Sequence, residues 1–269
     1  MPAKTNHCLW LHRTMRQYPE RRSALALWSR RLALFGLAVV LAGPILARTG
    51  ALPPLQGLVV IGAGLVCSGL GFVLSVLAYV EIWRSGATGL MAANVACLVS
   101  MLTLAWPATQ VVTAFRLPAI NDISTDLADP PTFARSRNAL DARRGYVPHE
   151  MPVTIRGSQR DAYPDIGPIL LEMMPEEAYE TVLEAIGEMK WRVIDQVPPS
   201  ARTGSGRIDA ITRTPVLGFT DDITIRLRAL PNETRVDIRS TSRLGKHDLG
   251  TNAARIRRFT QALRALDRN

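Results

Sequence analysis

The chain has 269 residues and a formal net charge of +9, a length that allows two structural units. The charge is unevenly placed: residues 1–116 carry 10 Lys+Arg against 2 Asp+Glu, a net +8, whereas residues 117–269 carry 22 against 21, a net +1. A nucleic-acid-binding domain carries its own basic surplus, so the balance of the second half excludes nucleic acid as a partner.

In chain order, residues 1–31 are a basic N-terminus holding seven of those ten cations. They precede an apolar stretch at 32–47, the pattern of a cytoplasmic flank beside a first membrane helix. Sixteen residues span only about 24 Å, so Arg31 and Arg48 must snorkel, or Leu25, Leu27 and Trp28 extend the helix. A second apolar stretch, 55–80, opens after Pro53-Pro54. Its pairs Gly64/Ser68 and Gly71/Ser75 have the spacing that lets membrane helices approach closely, or are glycines that lipid tolerates. A third, 89–115, carries Asn94, which is expected to bond a neighbouring helix. No Asp, Glu, Lys or His falls within these three stretches, which argues against an ion or proton relay. A cleaved signal peptide is the rival reading of the first stretch, but a leader of some 30 residues is long for one. Residues 32–116 are thus read as a transmembrane region in the lipid bilayer. Three crossings from a cytoplasmic N-terminus put residues 117–269 in the periplasm of a bacterial inner membrane.

Residues 117–131 are turn-forming chain, rich in Asn, Asp, Ser and Thr. Residues 132–165 show little periodicity and read as an extended segment. From Met174 to Lys190 the sequence predicts a helix, with Pro175, Glu176 and Glu177 suiting its first turn. A short strand is expected from Trp191 to Asp195, then strands at about 207–214, 222–230 and 234–242. The last two form a hairpin across Pro231-Asn232. If Leu230 faces Glu233, then Ile223, Ile225 and Leu227 share the core face with Val236 and Ile238. Asp222, Arg226 and Arg239 take the opposite face, with Arg226 opposite Asp237 as a cross-strand ion pair. Asp248 reads as the N-cap of a final helix at about 249–267. The order predicts an α+β domain over 117–269, an antiparallel sheet with packed helices.

Three blocks resemble the uncharacterised family called domain of unknown function 1499. They are Asn121 to Asp126 with Pro130-Pro131, then Ala162-Tyr-Pro-Asp-Ile166, then the run from Asp221-Asp222 through Arg235 to Ser240, Ser242-Arg243, Gly245 and Asp248 to Asn252. The resemblance implies a boundary near residue 117. It implies no activity.

The candidate binding set is Asn121, Asp122, Thr125, Asp126, Asp222, Arg226, Arg239, Ser242, Arg243, Asp248, Asn252 and Arg255. As a pocket, its arginines would grip a carboxylate or phosphate by forked hydrogen bonds. The alternative is an ion-pair network in which Asp122 or Asp126 satisfies the arginines and pins the linker to the sheet. No catalytic residue is assigned. Ser240 or Ser242 with His247 and Asp248 lacks a nucleophile elbow, and Asp221 and Asp222 point to opposite faces. The three cysteines, Cys8, Cys67 and Cys97, all lie before residue 117, which leaves the domain without thiol chemistry. No Cys/His set has metal-ligand spacing, and no cofactor is expected. The leading reading is a non-catalytic binding or assembly module, with an envelope protein or a second copy of the chain as partner. A domain for an anionic or lipid-like small molecule is the alternative, and an enzyme the third.

Overall fold

The computed structural model describes residues 21–200 and 202–267, so most of the basic N-terminus, with Cys8, lies outside the described residues. Three helices come first: α1 (Ala24–Arg48), α2 (Pro54–Ser85) and α3 (Leu90–Arg116). All three are long and apolar enough to cross a membrane. At 1.5 Å per residue they extend about 38, 48 and 40 Å, each beyond a ~30 Å hydrocarbon core. The expected extension through Leu25, Leu27 and Trp28 is observed, and it makes up the length that the sixteen-residue stretch lacked. α1 starts at Ala24, where the Ala26 N–H donates to Ser23 Oγ at 3.1 Å and caps the first turn. α2 likewise runs past residue 80 and takes in Glu81, which accepts from Ser23 Oγ at 2.6 Å.

The chain forms two compact units. One comprises the described residues through Val40 with Gly62–Leu104; the other comprises Leu41–Ile61 with Ala105 onward. In the first, α1 and α2 meet along small residues. A Cβ on Gly64 would lie 2.8 Å from the Gly36 carbonyl oxygen, and one on Gly71 would lie 2.9 Å from the Ala33 nitrogen. Ser29, Ala33 and Ser68 on the same seam are fully buried. This is close backbone approach of the kind glycine permits in membrane helices. Asn94 of α3 accepts from the Tyr79 hydroxyl of α2 at 2.7 Å, the interhelical bond expected of it.

The second unit holds an antiparallel sheet of β1 (Asp122–Ser124), β2 (Ile169–Leu171), β3 (Arg192–Val197), β4 (Ser205–Arg213), β5 (Thr220–Ala229) and β6 (Thr234–Ser242). The order is β1-β6-β5-β4-β3, and β2 pairs with the opposite end of β6 from β1. Two helices, α6 (Pro175–Glu188) and α7 (Thr251–Leu266), cover one face. There Ile208, Ile223, Ile225, Leu227, Val236 and Ile238 pack with Val182, Ile186, Ile256, Phe259 and Leu263 in one core. Trp191 stacks on Phe259 with ring centroids 5.4 Å apart.

The hairpin register is the predicted one. The Leu230 N–H donates to the Glu233 carbonyl at 2.8 Å, so Arg226 faces Asp237 and Asp222 faces Thr241. Two expectations are corrected. Residues 132–165 are not simply extended, because α4 (Arg137–Arg143) and α5 (Val153–Ala162) form there. Ser136 Oγ caps α4 by accepting from Ala139 N–H at 3.2 Å, and α5 lays Ile155 and Ala162 against the core on either side of buried Gln159. The N-cap of α7 is Gly250, at φ 77°, rather than Asp248. Asp248 instead serves the turn from outside, accepting from Gly250 N–H at 2.9 Å and Asn252 N–H at 2.7 Å.

The seam between α1 and α2 gives a paired test. Gly64→Ala places a methyl against the Gly36 carbonyl, whereas a Cβ on Gly62 meets nothing within 4 Å. Both changes raise helix propensity equally, so their difference isolates the contact. In thermal unfolding of the full chain in mild detergent, Gly64→Ala should lose about 1–3 kcal/mol relative to Gly62→Ala.

Candidate functional site

The sheet face opposite α6 and α7 carries acids and arginines in alternation, and the chain from Asp126 to His149 lies over it. Arg143, at the end of α4, is fully buried. Its Nε donates to Asp222 Oδ1 at 2.7 Å, its Nη2 to Asp209 Oδ1 at 2.8 Å and its Nη1 to the Ala134 carbonyl at 2.9 Å. Arg243 grips the same Asp222 with Nε at 2.6 Å and Nη2 at 3.0 Å. Arg239 holds Asp122 through Nε at 2.9 Å and Nη2 at 2.6 Å, and Nη2 also reaches the His149 carbonyl at 2.7 Å. Phe133 sits between two of these cations, its ring 5.3 Å from the Arg143 guanidinium and 5.0 Å from that of Arg239. Burial pushes the Asp122 and Asp209 carboxyls upward in pKa, opposed by the arginine each one faces.

Farther along the same face, Arg226, Arg228 and Arg235 converge on Asp126 and Asp237. All three reach Asp126 Oδ2, at 3.2, 3.0 and 2.7 Å. Arg226 also pairs with Asp237 at 3.2 Å and Asp129 at 2.8 Å. The other oxygen of Asp126 accepts from the Ala128 and Asp129 N–H groups at 3.1 and 3.0 Å. Burial alone would raise the Asp126 carboxyl, but the Asp129 N–H and the Arg235 charge outweigh it and hold it below the usual carboxylate range. Thr125 closes the strap by donating to and accepting from the main chain of Ile238 at 3.3 and 2.9 Å.

The core side has its own polar cluster. Arg255 of α7 pairs with Asp221, donates to Ser240 Oγ at 2.8 Å and contacts Asn252 Oδ1. Asn252 Nδ2 donates to the Asn121 carbonyl and to Ser242 Oγ, both at 3.0 Å. Asp221, like the buried acids opposite, has its pKa raised by burial against the pull of Arg255.

At the rim of the strap lies a cleft of ≈ 390 Å³. Ile120, Pro152 and Ile155 give it an apolar wall, and Arg243, Lys246 and Glu150 bring charge. Arg243 stacks on Tyr146 at 5.0 Å, and both line the cleft. Beside Lys246, His247 accepts from Leu249 N–H through Nδ1 at 2.9 Å. Its Nε2 therefore carries the proton and lies 3.2 Å from the Ala114 and Leu117 carbonyls at the end of α3.

The structure thus distributes the twelve candidate residues over three places. Asn121, Asp122, Ser242 and Arg243 line the cleft; Thr125, Asp126, Asp222, Arg226 and Arg239 belong to the ion-pair layer, where Asp122 and Arg243 also take part. Asp248, Asn252 and Arg255 organise the start of α7. Sequence reasoning missed Arg143, Asp209, Phe133 and Asp129 in the layer, and Tyr146, Glu150, Ile155 and Lys246 in the cleft. The one signal was the parity of Asp209, which alternates with core-facing Ile208 and Ala210 on β4 and so falls on the face that carries the other acids and arginines. Among the described residues, no group of three or more His, Cys, Asp or Glu side chains is placed to hold a metal ion.

An antiparallel α+β domain with an arginine–aspartate layer on one sheet face, in a chain with three membrane-length helices, defines the class of protein. Residues 122–263, from the first residue of β1 into the last turn of α7, match the family described as Protein of unknown function (DUF1499), and the chain belongs to that family. No curated protein matches it.

Two outcomes test the layer. Arg143→Met leaves Asp209 and Asp222 buried with less compensation, so the full chain in detergent should lose about 3–5 kcal/mol of unfolding stability. Adding Asp209→Asn should recover part of that loss, whereas additive losses would mean that the two do not interact. The depressed Asp126 carboxyl sets a pH dependence. Its stabilisation is fully present above the ordinary carboxylate pKa of 3.8 and is lost as pH falls through the lower folded value. Thermal unfolding followed from pH 6 downward by near-ultraviolet circular dichroism should therefore show a shallower acid-side decline in Asp126→Asn than in the parent protein.

Proposed function

We propose that this chain is a membrane-anchored, non-catalytic binding module of a bacterial inner membrane, and that its binding site is the cleft at the rim of the strap. The observation that carries the reading is the contrast between the two polar regions. In the ion-pair layer, Asp122, Asp126, Asp209, Asp222 and Asp237 are each held by at least one arginine beneath the strap. The cleft, by contrast, sets Ile120, Pro152 and Ile155 beside Arg243 and Lys246 in an open volume of ≈ 390 Å³. A few polar groups on an apolar wall are the usual makeup of a small-molecule site.

The orientation follows from charge. Arg21, Arg22, Arg30 and Arg31 cluster at the start of α1, which favours a cytoplasmic N-terminus. Three crossings then deliver the domain to the periplasmic side.

Native mass spectrometry of the full chain, extracted in mild detergent, tests the site. The wild-type protein should carry a bound small molecule. Ile155→Trp, which enlarges a side chain of the cleft wall, should remove that mass from chains whose near-ultraviolet circular dichroism remains native. A wild-type chain with no adduct, or an adduct that survives Ile155→Trp at full occupancy, would overturn the proposal.

A further inference from the structure

We infer that the cleft takes the phosphate-bearing headgroup of a bilayer lipid, an inference that rests on the cleft being the binding site. Three observations converge on it. The first is position. Ala119 and Ile120 line the cleft three and four residues beyond Arg116, the last residue of α3. Lys246, which also lines the cleft, precedes His247, whose ring meets the Ala114 and Leu117 carbonyls of that same helix end. Arg116, the single charged residue of α3, lies in its last turn, where a membrane helix meets the headgroups. Leu244, 56% exposed on the same turn as Lys246, presents an apolar side chain at this end.

The second is chemistry. Arg243 commits Nε and Nη2 to Asp222 and keeps Nη1, while Lys246 makes no ion pair among the described residues. A compact ammonium beside an anchored guanidinium suits a phosphate oxygen cluster. Ile120, Pro152 and Ile155 supply a wall for the glycerol and ester region, which a free inorganic anion does not need.

The third is charge balance. The domain's net charge is only +1 over residues 117–269, and the arginines of the strap-side sheet face are paired with acids. The recognition is therefore a single local site rather than general adhesion to an anionic surface, which would need a broad positive field.

The test uses the full chain in mild detergent, titrated with phosphatidylglycerol, phosphatidylethanolamine, dioleoylglycerol or sn-glycerol 3-phosphate and read by native mass spectrometry. One phospholipid per chain should be retained, and dioleoylglycerol, which lacks the phosphate, should not. Lys246→Glu should weaken retention about tenfold, equivalent to about 1.4 kcal/mol, and Lys246→Arg should restore most of it. Phospholipid retained equally by wild type, Lys246→Glu and Ile155→Trp would overturn the inference. Displacement of the lipid by an equal concentration of sn-glycerol 3-phosphate would move the source to a soluble phosphate and overturn the lipid assignment. An adduct of another kind that Ile155→Trp removes, with no phospholipid retained, would leave the cleft as the site and refute the lipid.

Discussion

The domain depends on how Asp209 and Asp222 come to be buried without water. Both sit on central strands with fully inaccessible side chains, and both are reached by Arg143, itself fully inaccessible. An isolated carboxylate in such a place would neutralise or force the structure apart. One planar guanidinium bridging two carboxylates and a main-chain carbonyl solves the problem, a geometry that lysine cannot match. Arg243 then takes the remaining oxygen of Asp222, so that single acid ties α4 to the turn after β6.

Buried ion pairs seldom exceed the stability of a well-packed apolar core, because desolvation consumes most of the Coulomb gain. The layer is better understood as a register device. Hydrophobic contact alone would let the strap from Asp126 to His149 slide over the sheet. Phe133 wedged between Arg143 and Arg239, and Asp126 receiving three arginines at once, admit only one placement. The cleft inherits its shape from that placement, since Asp122, Tyr146, His149 and Glu150 form its walls and all belong to the strap or to its anchors.

What the sequence revealed and concealed divides along physical lines. The hairpin of β5 and β6 was legible to the residue, because period-2 alternation and a short Pro-Asn turn set the register locally. The Arg226–Asp237 pair followed from it. The cross-layer pairs were not legible in the same way. Arg143 meets Asp222 across 79 residues of chain and lies in a stretch with no periodicity, so nothing nearby marks it as buried. β1 and β2, at three residues each, are too short for alternation to register, yet together they cover the outer edge of β6. The candidate set was nonetheless chosen largely from the right face, because charge in a strand whose other face is apolar has few places to go. The choice between pocket and network could not be made there, since it turned on Asp126, Asp129 and Arg143, all contributed from outside the hairpin.

The same logic explains why the family's three sequence blocks hold together. Asn121 to Asp126 supplies Asp122 for Arg239 and Asp126 for the arginine trio. In the second block, Asp165 grips Arg257 of α7 at 2.6 and 2.7 Å, and that guanidinium lies over the Tyr163 ring at 5.4 Å. The third block provides the sheet and turn that receive the first, while the second block reaches Arg257, beyond the third. The first and third blocks therefore complete each other's charges. Within the layer, Asp122, Asp126, Asp209, Asp222 and Asp237 are each held by at least one arginine. At its margin, Lys246 and the unshared nitrogen of Arg243 stand open where the strap ends, beside the last turn of α3.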